Sequence, residues 1–397
     1  MSLNKVKYSI LIPTKNGCAY LKYAIQSALT QGYLDFELIV SDNHSIDETE
    51  IYLSSLVDPR IKIVRPEQPL PMAEHYEFML TQATGEWVTI IGDDDALMPY
   101  FFDSMNQLTK EYPEIEIISS PRAYYFWEGC IPGYNNTVVN YKSSGSQKIR
   151  TTKIDFILAI LGLRSCFDLP QLYTTSVIKR SLIIRMMKVQ GGWFYHSIIP
   201  DMYSAVCLFM NSKKYLRLGL PLFWVGTSSK SMGISTRIYE DSAQASNVQQ
   251  NKIQLNSSIP QEIHAAGFGS MYLYEGLLQY PGNQKKFIKC IQPFVMASIF
   301  LEIYKNKYNS KITKNELVVA LNNYINVNEI NKILIALSAP VLIIVGTLCK
   351  AMRYAVMLKV YIFSRLELKN YAFFISKDRA RFKNIELASI GVKELRK

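Results

Sequence analysis

The chain has 397 residues, of which 49% are hydrophobic and 19% are charged, which excludes a disordered or fibrous protein and leaves room for one large domain with an appendage, or for two domains. Residues 281–397 carry 20 Lys and Arg against 7 Asp and Glu, whereas residues 1–280 carry 24 against 26. A basic and apolar C-terminal region predicts contact with an anionic membrane surface. Nucleic acid is not an expected partner, since the sequence has no recognisable binding module.

The cysteines and the N-terminus indicate a reducing compartment. Six cysteines are scattered without paired spacing, which favours free thiols over a disulfide framework or a zinc cluster. Residues 1–7 are polar and lead directly into a strand pattern, without the apolar core of a secretory signal. We therefore expect a cytoplasmic protein, peripheral at the inner face of the cell membrane.

Strand and helix patterns alternate over the first hundred residues. Short apolar, β-branched runs predict strands at 8–13, 36–40, 60–64 and 87–91, with helices from 19 towards Gly32 and over 73–83. Right-handed crossovers place the carboxyl ends of parallel strands at one edge of the sheet, where ligands bind in open α/β folds. The predicted fold class is therefore α/β with a mostly parallel central sheet.

Three consecutive acids, Asp93, Asp94 and Asp95, follow the fourth predicted strand. Adjacent carboxylates repel one another, and a bound divalent ion would keep them ionised. Hard oxygen ligands without a neighbouring His or Cys favour Mg²⁺ or Mn²⁺, which keep positions open for substrate phosphates. The triplet predicts a metal and diphosphate site; an acidic surface turn is the alternative.

Three stretches, at residues 10–16, 41–49 and 85–95, resemble in order and spacing the nucleotide-sugar motifs of the family 2 glycosyltransferases of GT-A fold. The sequence departs from the family pattern at Lys15, where an aromatic residue is frequent, and at His44, where Gly is frequent. Neither departure removes a functional carboxylate. The resemblance implies an inverting, metal-dependent transfer of a sugar from a nucleotide diphosphate in bacterial surface polysaccharide synthesis.

The same resemblance implies a nucleobase pocket. Pro13, Thr14 and Asn16 match residues that line it, and Asp42 matches the acid that accepts the imide N–H of the base. An ordinary polar turn is the alternative for Thr14 and Asn16, and a helix N-cap is the alternative for Asp42 and Asp47.

Roles within the acidic triplet also follow from the resemblance. Asp93 matches the member that faces the ribose or the diphosphate, and Asp95 matches the metal ligand, while Asp94 has no single assigned role. The implied cofactor is Mn²⁺ or Mg²⁺. The implied donor is a UDP-sugar, with a dTDP-sugar as the second choice.

Asp201 is the candidate catalytic base. It follows Pro200 at the start of a predicted apolar helix, in a run that resembles the place where this family puts that base. Inverting transfer needs one base beside the incoming hydroxyl, apart from the acids that hold the metal. An acid in the first turn of a helix also stabilises the helix dipole, so a cap is the alternative reading. Asp168 and Glu128 are weaker substitutes for the base.

The loop at 226–236 is a candidate phosphate-binding segment. Its small residues allow close backbone approach, and Lys230 beside Ser231 offers a point charge among hydroxyls. Similar loops in relatives close over the diphosphate. A surface linker is the alternative.

The predicted organisation has three parts: a catalytic domain at 1–240, a polar connecting segment at 241–282, and a helical, basic and apolar region at 283–397 that associates with a membrane or oligomerises. Residues 333–349 are uncharged and contain Pro340. We expect a buried or interfacial hairpin there, with a transmembrane helix as the alternative.

The predicted function is transfer of a hexosyl or N-acetylhexosaminyl group to a hydroxyl of a saccharide or lipid-linked saccharide. Two alternatives stay open: a sugar-nucleotide pyrophosphorylase, whose Gly-rich basic loop after the first strand is missing here, and a non-catalytic membrane or scaffold protein with a degenerate site. Asp42, Asp93, Asp95 and Asp201 favour the transferase.

Overall fold

The structure is a computed structural model that describes residues 6–131, 134–139, 142–231, 259–282, 284–305, 312–366, 373–374, 380–381, 384–386 and 388–389. Most of the predicted connecting segment (241–258) and the second half of the candidate phosphate loop (232–236) lie outside these residues.

Fifteen strands are present in the described part of the chain. They are β1 (Tyr8–Thr14), β2 (Phe36–Asp42), β3 (Ile61–Val64), β4 (Trp87–Ile90), β5 (Ala96–Leu97), β6 (Ile117–Ser119), β7 (Ala123–Phe126), β8 (Thr137–Val139), β9 (Lys142–Ser143), β10 (Gln147–Thr151), β11 (Ser176–Lys179), β12 (Lys214–Leu218), β13 (Phe223–Thr227), β14 (Phe373–Phe374) and β15 (Ala380–Arg381).

The helices alternate with the strands at first and then follow one another. They are α1 (Cys18–Leu29), α2 (Thr49–Ser54), α3 (Met72–Gln82), α4 (Phe101–Glu111), α5 (Thr152–Ile160), α6 (Arg180–Val189), α7 (Pro200–Asn211), α8 (Gln261–Ala266), α9 (Gly269–Gln279), α10 (Lys285–Tyr304), α11 (Lys314–Val327) and α12 (Lys332–Leu366), with a short 3₁₀ turn at Cys166–Asp168.

The central sheet has eight strands in the order β10-β12-β6-β11-β4-β1-β2-β3. Four neighbouring pairs are parallel and three, all involving β10 or β11, are antiparallel. Ile10, Leu11 and Ile12 of β1 are fully buried because helices cover both faces of the sheet, as a continuous apolar run predicts. The prediction of an α/β fold with a mostly parallel central sheet is confirmed.

A second sheet, in the order β15-β8-β7-β13-β5, lies beside the first. It contains a buried aromatic cluster around Trp127 and Trp224, which Ile385 and Ala388 complete from the C-terminal side. The Trp224 Nε1–H donates to Ser389 Oγ at 2.9 Å. The second sheet places β13 against β5, and so brings the loop after β13 to the acids that precede β5.

The C-terminal helices are not a separate lobe. Residues of α9, α10 and α11 belong to the same hydrophobic core as Leu11 of β1 and Ile39 of β2. Within this core Phe209 of α7 stacks on Phe156 at 4.0 Å, and Phe287 of α10 lies 5.8 Å from Phe209. The helical C-terminal region is therefore confirmed, and it shares its core with the catalytic part.

Two helices, α10 and residues 332–349 of α12, are long and apolar enough to cross a membrane. Core helices of soluble proteins pass the same test, and the inner side of α10 is buried. Residues 332–366 form one continuous helix through Pro340, so the predicted hairpin is wrong. The outer side of α12 exposes a row of large apolar side chains, at Ile333, Leu334, Leu337, Val341, Ile344 and Leu348.

Candidate active site

The carboxyl ends of β1, β2 and β4 meet at one edge of the central sheet. Thr14 lies opposite Asp42 in the register of β1 and β2, and the backbone N–H of Asn43 donates to the Thr14 carbonyl at 2.9 Å. The Thr14 hydroxyl donates to Asp93 Oδ2 at 2.6 Å. The three predicted motifs thus lie together in one crevice, as the right-handed crossovers predict.

Asn16 joins the first two motifs. Its amide Oδ1 accepts from the N–H of Ile46 at 2.7 Å, and its own N–H donates to Ser45 Oγ at 2.8 Å. Asn16 and His44 both have positive φ, +57° and +58°. Asn and His tolerate the left-handed region better than most residues, which accounts for His44 where the family pattern has Gly.

Asp42 is buried with one oxygen uncommitted. Its Oδ1 accepts from the N–H of Ser45 at 2.9 Å, whereas Oδ2 has no hydrogen-bond partner among the described residues and lies 3.6 Å from Arg65 Nη1. A buried acceptor without a donor costs free energy unless a ligand or water supplies one. This geometry suits an acid that accepts an N–H from a bound base.

Asp47 does what a capping residue does. Its Oδ1 accepts from the N–H of Thr49 at 3.1 Å, beside the first turn of α2, and its Oδ2 accepts from the N–H of Cys18 at 3.2 Å. Although burial opposes it, hydrogen bonding by Thr49 and Cys18 holds the pKa of Asp47 below its usual value. Asp47 thus supports the start of α2, but the N-cap itself is Glu48, so neither Asp47 nor Asp42 occupies that position.

The three acids after β4 have different partners. Asp95 accepts from two backbone groups, the N–H of Gly92 at 2.6 Å and that of Gly226 at 2.7 Å. Asp94 Oδ2 accepts from the hydroxyls of Ser228 and Ser231 at 2.7 and 2.6 Å. Asp93 is the most exposed member of the triplet. Asp95 therefore attaches the end of β13, and Asp94 the loop after it, to the acidic segment, while Asp93 faces the crevice.

Close packing holds this arrangement together. A Cβ on Gly226 would lie 1.6 Å from the Asp94 carbonyl oxygen, and a Cβ on Gly17 would lie 1.9 Å from Asp93 Oδ2. Both positions therefore require glycine for close approach rather than for turn geometry.

The triplet is electrostatically strained. Burial and the charge of Asp94 raise the pKa of Asp93 to about 7 and raise that of Asp95 well above its usual value; burial also raises the pKa of Asp94. Lys230, whose ammonium donates to the Asn16 carbonyl, is a cation that opposes this effect at Asp93. The loop that carries Lys230 and the acids therefore share one electrostatic site.

This site suits a divalent cation that takes some of its ligands from the substrate. Across the residues that the structure describes, no three His, Cys, Asp or Glu side chains converge as a complete metal cage. Mg²⁺ and Mn²⁺ commonly need only one or two carboxylates when substrate phosphates supply further ligands. Carboxylates with raised pKa values are the groups that such a charge would stabilise in the ionised form.

Asp201 lies in the first turn of α7, directly after Pro200. The N-cap of α7 is Ile199, whose side chain makes no capping hydrogen bond. Asp201 Oδ1 accepts from the N–H of Met202 at 2.9 Å. Burial raises the pKa of the Asp201 carboxyl, and the charge of Arg122 opposes this. Besides burial, the charges of Asp201 and of the acidic triplet both contribute to raising the pKa of the Tyr76 hydroxyl, so both sets of acids lie near this residue.

The two substitute bases lie in more open surroundings. Asp168 is half exposed and lies 3.8 Å from both Arg164 and Arg217. Glu128 is exposed, and its Oε2 accepts from Asn136 Nδ2 at 3.4 Å. Neither carboxylate is among the groups whose charge contributes to the raised pKa of Tyr76.

Three residues at the crevice were missed by the sequence reasoning. Tyr173 stacks on Tyr76 with ring centroids 6.1 Å apart, and its hydroxyl lies close enough to Gly92 to exclude a side chain there. Arg122 follows β6 and acts on Asp201. Residues 172–175 form a turn with Thr174 at φ +31°, which places Tyr173 directly before β11.

Comparison with known proteins defines the class. The fold is a nucleotide-binding type of α/β sheet, and residues 9–162 match the family described as glycosyl transferase family 2. The chain thus contains a family 2 glycosyltransferase domain, and the predicted family is confirmed.

Two curated relatives illustrate the match. A GalNAc(5)-diNAcBac-PP-undecaprenol β-1,3-glucosyltransferase of Campylobacter jejuni is 30% identical over 157 residues, 38% of this chain and 48% of the relative. The UDP-Glc:α-D-GlcNAc-diphosphoundecaprenol β-1,3-glucosyltransferase WfgD of Escherichia coli is 31% identical over 87 residues, 22% of this chain and 34% of the relative. The chain spans less than half the length of these relatives.

Among solved structures, S. aureus TarS 1-349 in complex with UDP-GlcNAc superposes with a TM-score of 0.45 and 15% identity. The superposition covers 82% of this chain and 91% of that chain.

Proposed function

We propose that the protein is an inverting glycosyltransferase that moves a sugar from a UDP-sugar to a hydroxyl of a lipid-linked saccharide. The observation that carries this proposal is the convergence of Asp42 and Asp93 at one edge of the sheet. We assign Asp201 to the same site, since its charge and those of the triplet act on the same Tyr76 hydroxyl. The curated relatives named above act on saccharides joined to undecaprenol through a diphosphate, which supports the acceptor class.

Donor binding is assigned to residues of this chain that are already in place. The uncommitted Oδ2 of Asp42 would accept the imide N–H of the base, beside Pro13 and Thr14. Lys230 and Ser231 would contact the diphosphate from the loop after β13. Asn16 supports the pocket by joining the first two motifs, because its side chain is already bonded to backbone.

Mn²⁺ or Mg²⁺ is the proposed cofactor. Asp93 and the phosphates of the donor would hold it. Asp95 would join them if the two backbone hydrogen bonds of its carboxylate rearrange. When bound, the cation neutralises charge that develops on the leaving diphosphate. Asp201, on the other side of the crevice, accepts the proton of the attacking hydroxyl.

The C-terminal region provides a proposed route to the lipid-linked acceptor. The outward apolar row on α12, in a region of strong positive charge, suits the interface of an anionic membrane. A homo-oligomer formed through the same helix is the alternative use of this surface.

Paired variants test the proposal. We expect Asp93→Asn to remove the Mn²⁺-dependent part of UDP binding. The Asp93 carboxylate repels the diphosphate unless a cation lies between them, whereas the neutral amide of Asn does not attract the cation. We expect Asp201→Asn to bind UDP normally and to lose about a hundred- to ten-thousandfold in turnover, the range found when a general base is removed. Asp103→Asn, on the exposed side of α4, is the control for a lost charge.

Thermal stabilisation by UDP with and without Mn²⁺, together with transfer to a prenyl-diphosphate-linked saccharide, measures both effects. UDP affinity that is equal with and without metal in the unaltered protein would contradict the metal site. Normal turnover in Asp201→Asn would leave Asp201 as a residue that only stabilises α7.

A further inference from the structure

Arg122 is a partly buried cation without an ion-pair partner. It follows β6, and across the described residues no carboxylate oxygen lies within ion-pair distance of its guanidinium. Its Nε is buried and has no hydrogen-bond partner there. Burying a guanidinium in this way is costly unless its charge or its remaining N–H is used.

Neutral groups hold the guanidinium in position. Arg122 Nη2 donates to Gln171 Oε1 at 2.7 Å, and the Phe167 ring lies 4.8 Å from Arg122 Cζ. The amide nitrogen of Gln171 donates in turn to the Cys166 carbonyl at 3.1 Å and lies 3.6 Å from the Met202 sulfur. Through Gln171, Arg122 is therefore fixed beside the first turn of α7, where Asp201 lies.

Among the described residues, Asp201 has no basic side chain within ion-pair distance. Burial raises the pKa of the hydroxyls of Tyr76 and Tyr195 and of the thiol of Cys166, and the charge of Asp201 adds to each of these shifts, so these groups stay neutral at ordinary pH. Arg122 is the cation that acts on the carboxylate. Glu302 acts on the Cys166 thiol as well, so a second acid borders this region from α10.

We propose that Arg122 is a positioning residue for Asp201, whose guanidinium, held by Gln171 and Phe167, keeps the carboxylate ionised and ready to accept the proton of the incoming hydroxyl. This inference rests on the proposed function. A base that is buried among neutral groups would otherwise hold its own proton near neutral pH and could not take one from the acceptor.

The first experiment compares the pH dependence of kcat/KM in the intact chain. In Arg122→Met we expect the acidic limb of the profile to move upward by about one pH unit, the smallest shift that an opposite charge at close range commonly causes. Activity should approach that of the unaltered protein at high pH. Arg122→Lys should restore most of the shift, since it retains the charge. Arg185→Met, which removes an exposed arginine paired with Glu116, should not move the limb.

A merely structural role for Arg122 predicts a different result. Lost packing would lower turnover by the same factor at every pH and leave the limb in place, and that result would overturn the proposal. Circular dichroism and thermal unfolding identify variants that fail to fold, and Arg122→Gln, which retains a polar side chain, replaces Arg122→Met if that variant does not fold.

The second experiment does not need activity. In protein with ¹³C-labelled aspartate, the Asp201 carboxyl resonance, assigned as the signal lost in Asp201→Asn, is titrated without substrate. We expect its midpoint to rise by about one pH unit in Arg122→Met and to stay unchanged in Arg185→Met. Equal midpoints in all three proteins would overturn the inference even if transfer is observed. A shifted midpoint without any transfer activity would instead overturn the proposed function alone.

Discussion

His75 illustrates how a residue behind the site ties folding to pH. Its Nε2 lies 2.7 Å from Ser41 Oγ, just behind Asp42, and burial lowers its pKa from 6.5 to about 4. The unfolded chain binds a proton at this residue below pH 6.5, whereas the folded chain does not until about pH 4. The contribution of His75 to stability is therefore complete above pH 6.5 and is lost as the pH falls towards 4.

We predict that acidification from pH 7.5 to 5 removes about 2 kcal/mol of stability through His75 alone. Urea unfolding at both pH values measures this loss. Because the acidic triplet has the opposite pH dependence, the comparison is made against His75→Gln, which retains a polar contact to Ser41 and has no such proton. An identical pH dependence in the two proteins would show that folding does not lower the pKa of His75.

At the scale of elements, the loop after β13 is attached to the acids by hydroxyls. Ser231 Oγ donates to Asp94 and accepts from the N–H of Ser228 at 2.8 Å. We predict that Ser231→Ala opens this loop more often, because two hydrogen bonds worth about 1 kcal/mol each are lost. Tryptic cleavage after Lys230, followed by mass spectrometry, should accelerate about thirtyfold, since cleavage tracks the open population.

Ser144→Ala, in an exposed loop elsewhere, is the control for that measurement, and UDP with Mn²⁺ should slow cleavage in the unaltered protein. Cleavage at the same rate in Ser231→Ala would mean that the Ser231 hydroxyl does not hold the loop.

The elements also show which parts of the site were accessible to sequence reasoning. The ends of β1, β2 and β4 were predictable because each is a local apolar run followed by polar residues, and the crossover rule then places these ends side by side. Thr14 and Asp42 follow directly from that rule. Arg122, Tyr76 and Tyr173 do not, because β6 and β11 enter the sheet out of chain order and no local pattern indicates their neighbours.

The division into domains 1–240, 241–282 and 283–397 stays a prediction, and the shared core changes how it is tested. Residues of α10 such as Val295 and Ile299 are fully buried in the core that also contains Phe209 of α7. Removing the chain from residue 283 onward would expose that core, so a truncation cannot separate membrane binding from folding.

For the whole molecule we therefore predict the effect of surface substitutions on membrane binding. Replacing the exposed Ile333, Leu337 and Ile344 of α12 with serine should abolish sedimentation with anionic vesicles and leave the thermal unfolding temperature unchanged. Each buried aliphatic side chain contributes about 1.5–3 kcal/mol, so three are sufficient to decide binding.

Serine at Leu34, Val57 and Ile154, which are also exposed, forms the matched control. If the unaltered protein stays in solution with vesicles and the α12 variant converts a dimer into a monomer, α12 is an assembly surface instead.

The aromatic cluster of the second sheet has a consequence for the order of folding. Trp224 lies just before the candidate phosphate loop. Its indole N–H donates to Ser389 Oγ, 165 residues further along the sequence. Contacts of such long sequence separation form late, since chain entropy is lost before they stabilise anything. During synthesis the aromatic cluster of the second sheet stays incomplete until residues near 389 are available. We therefore expect the proposed nucleotide pocket to form in one late step, which a change in tryptophan fluorescence would report.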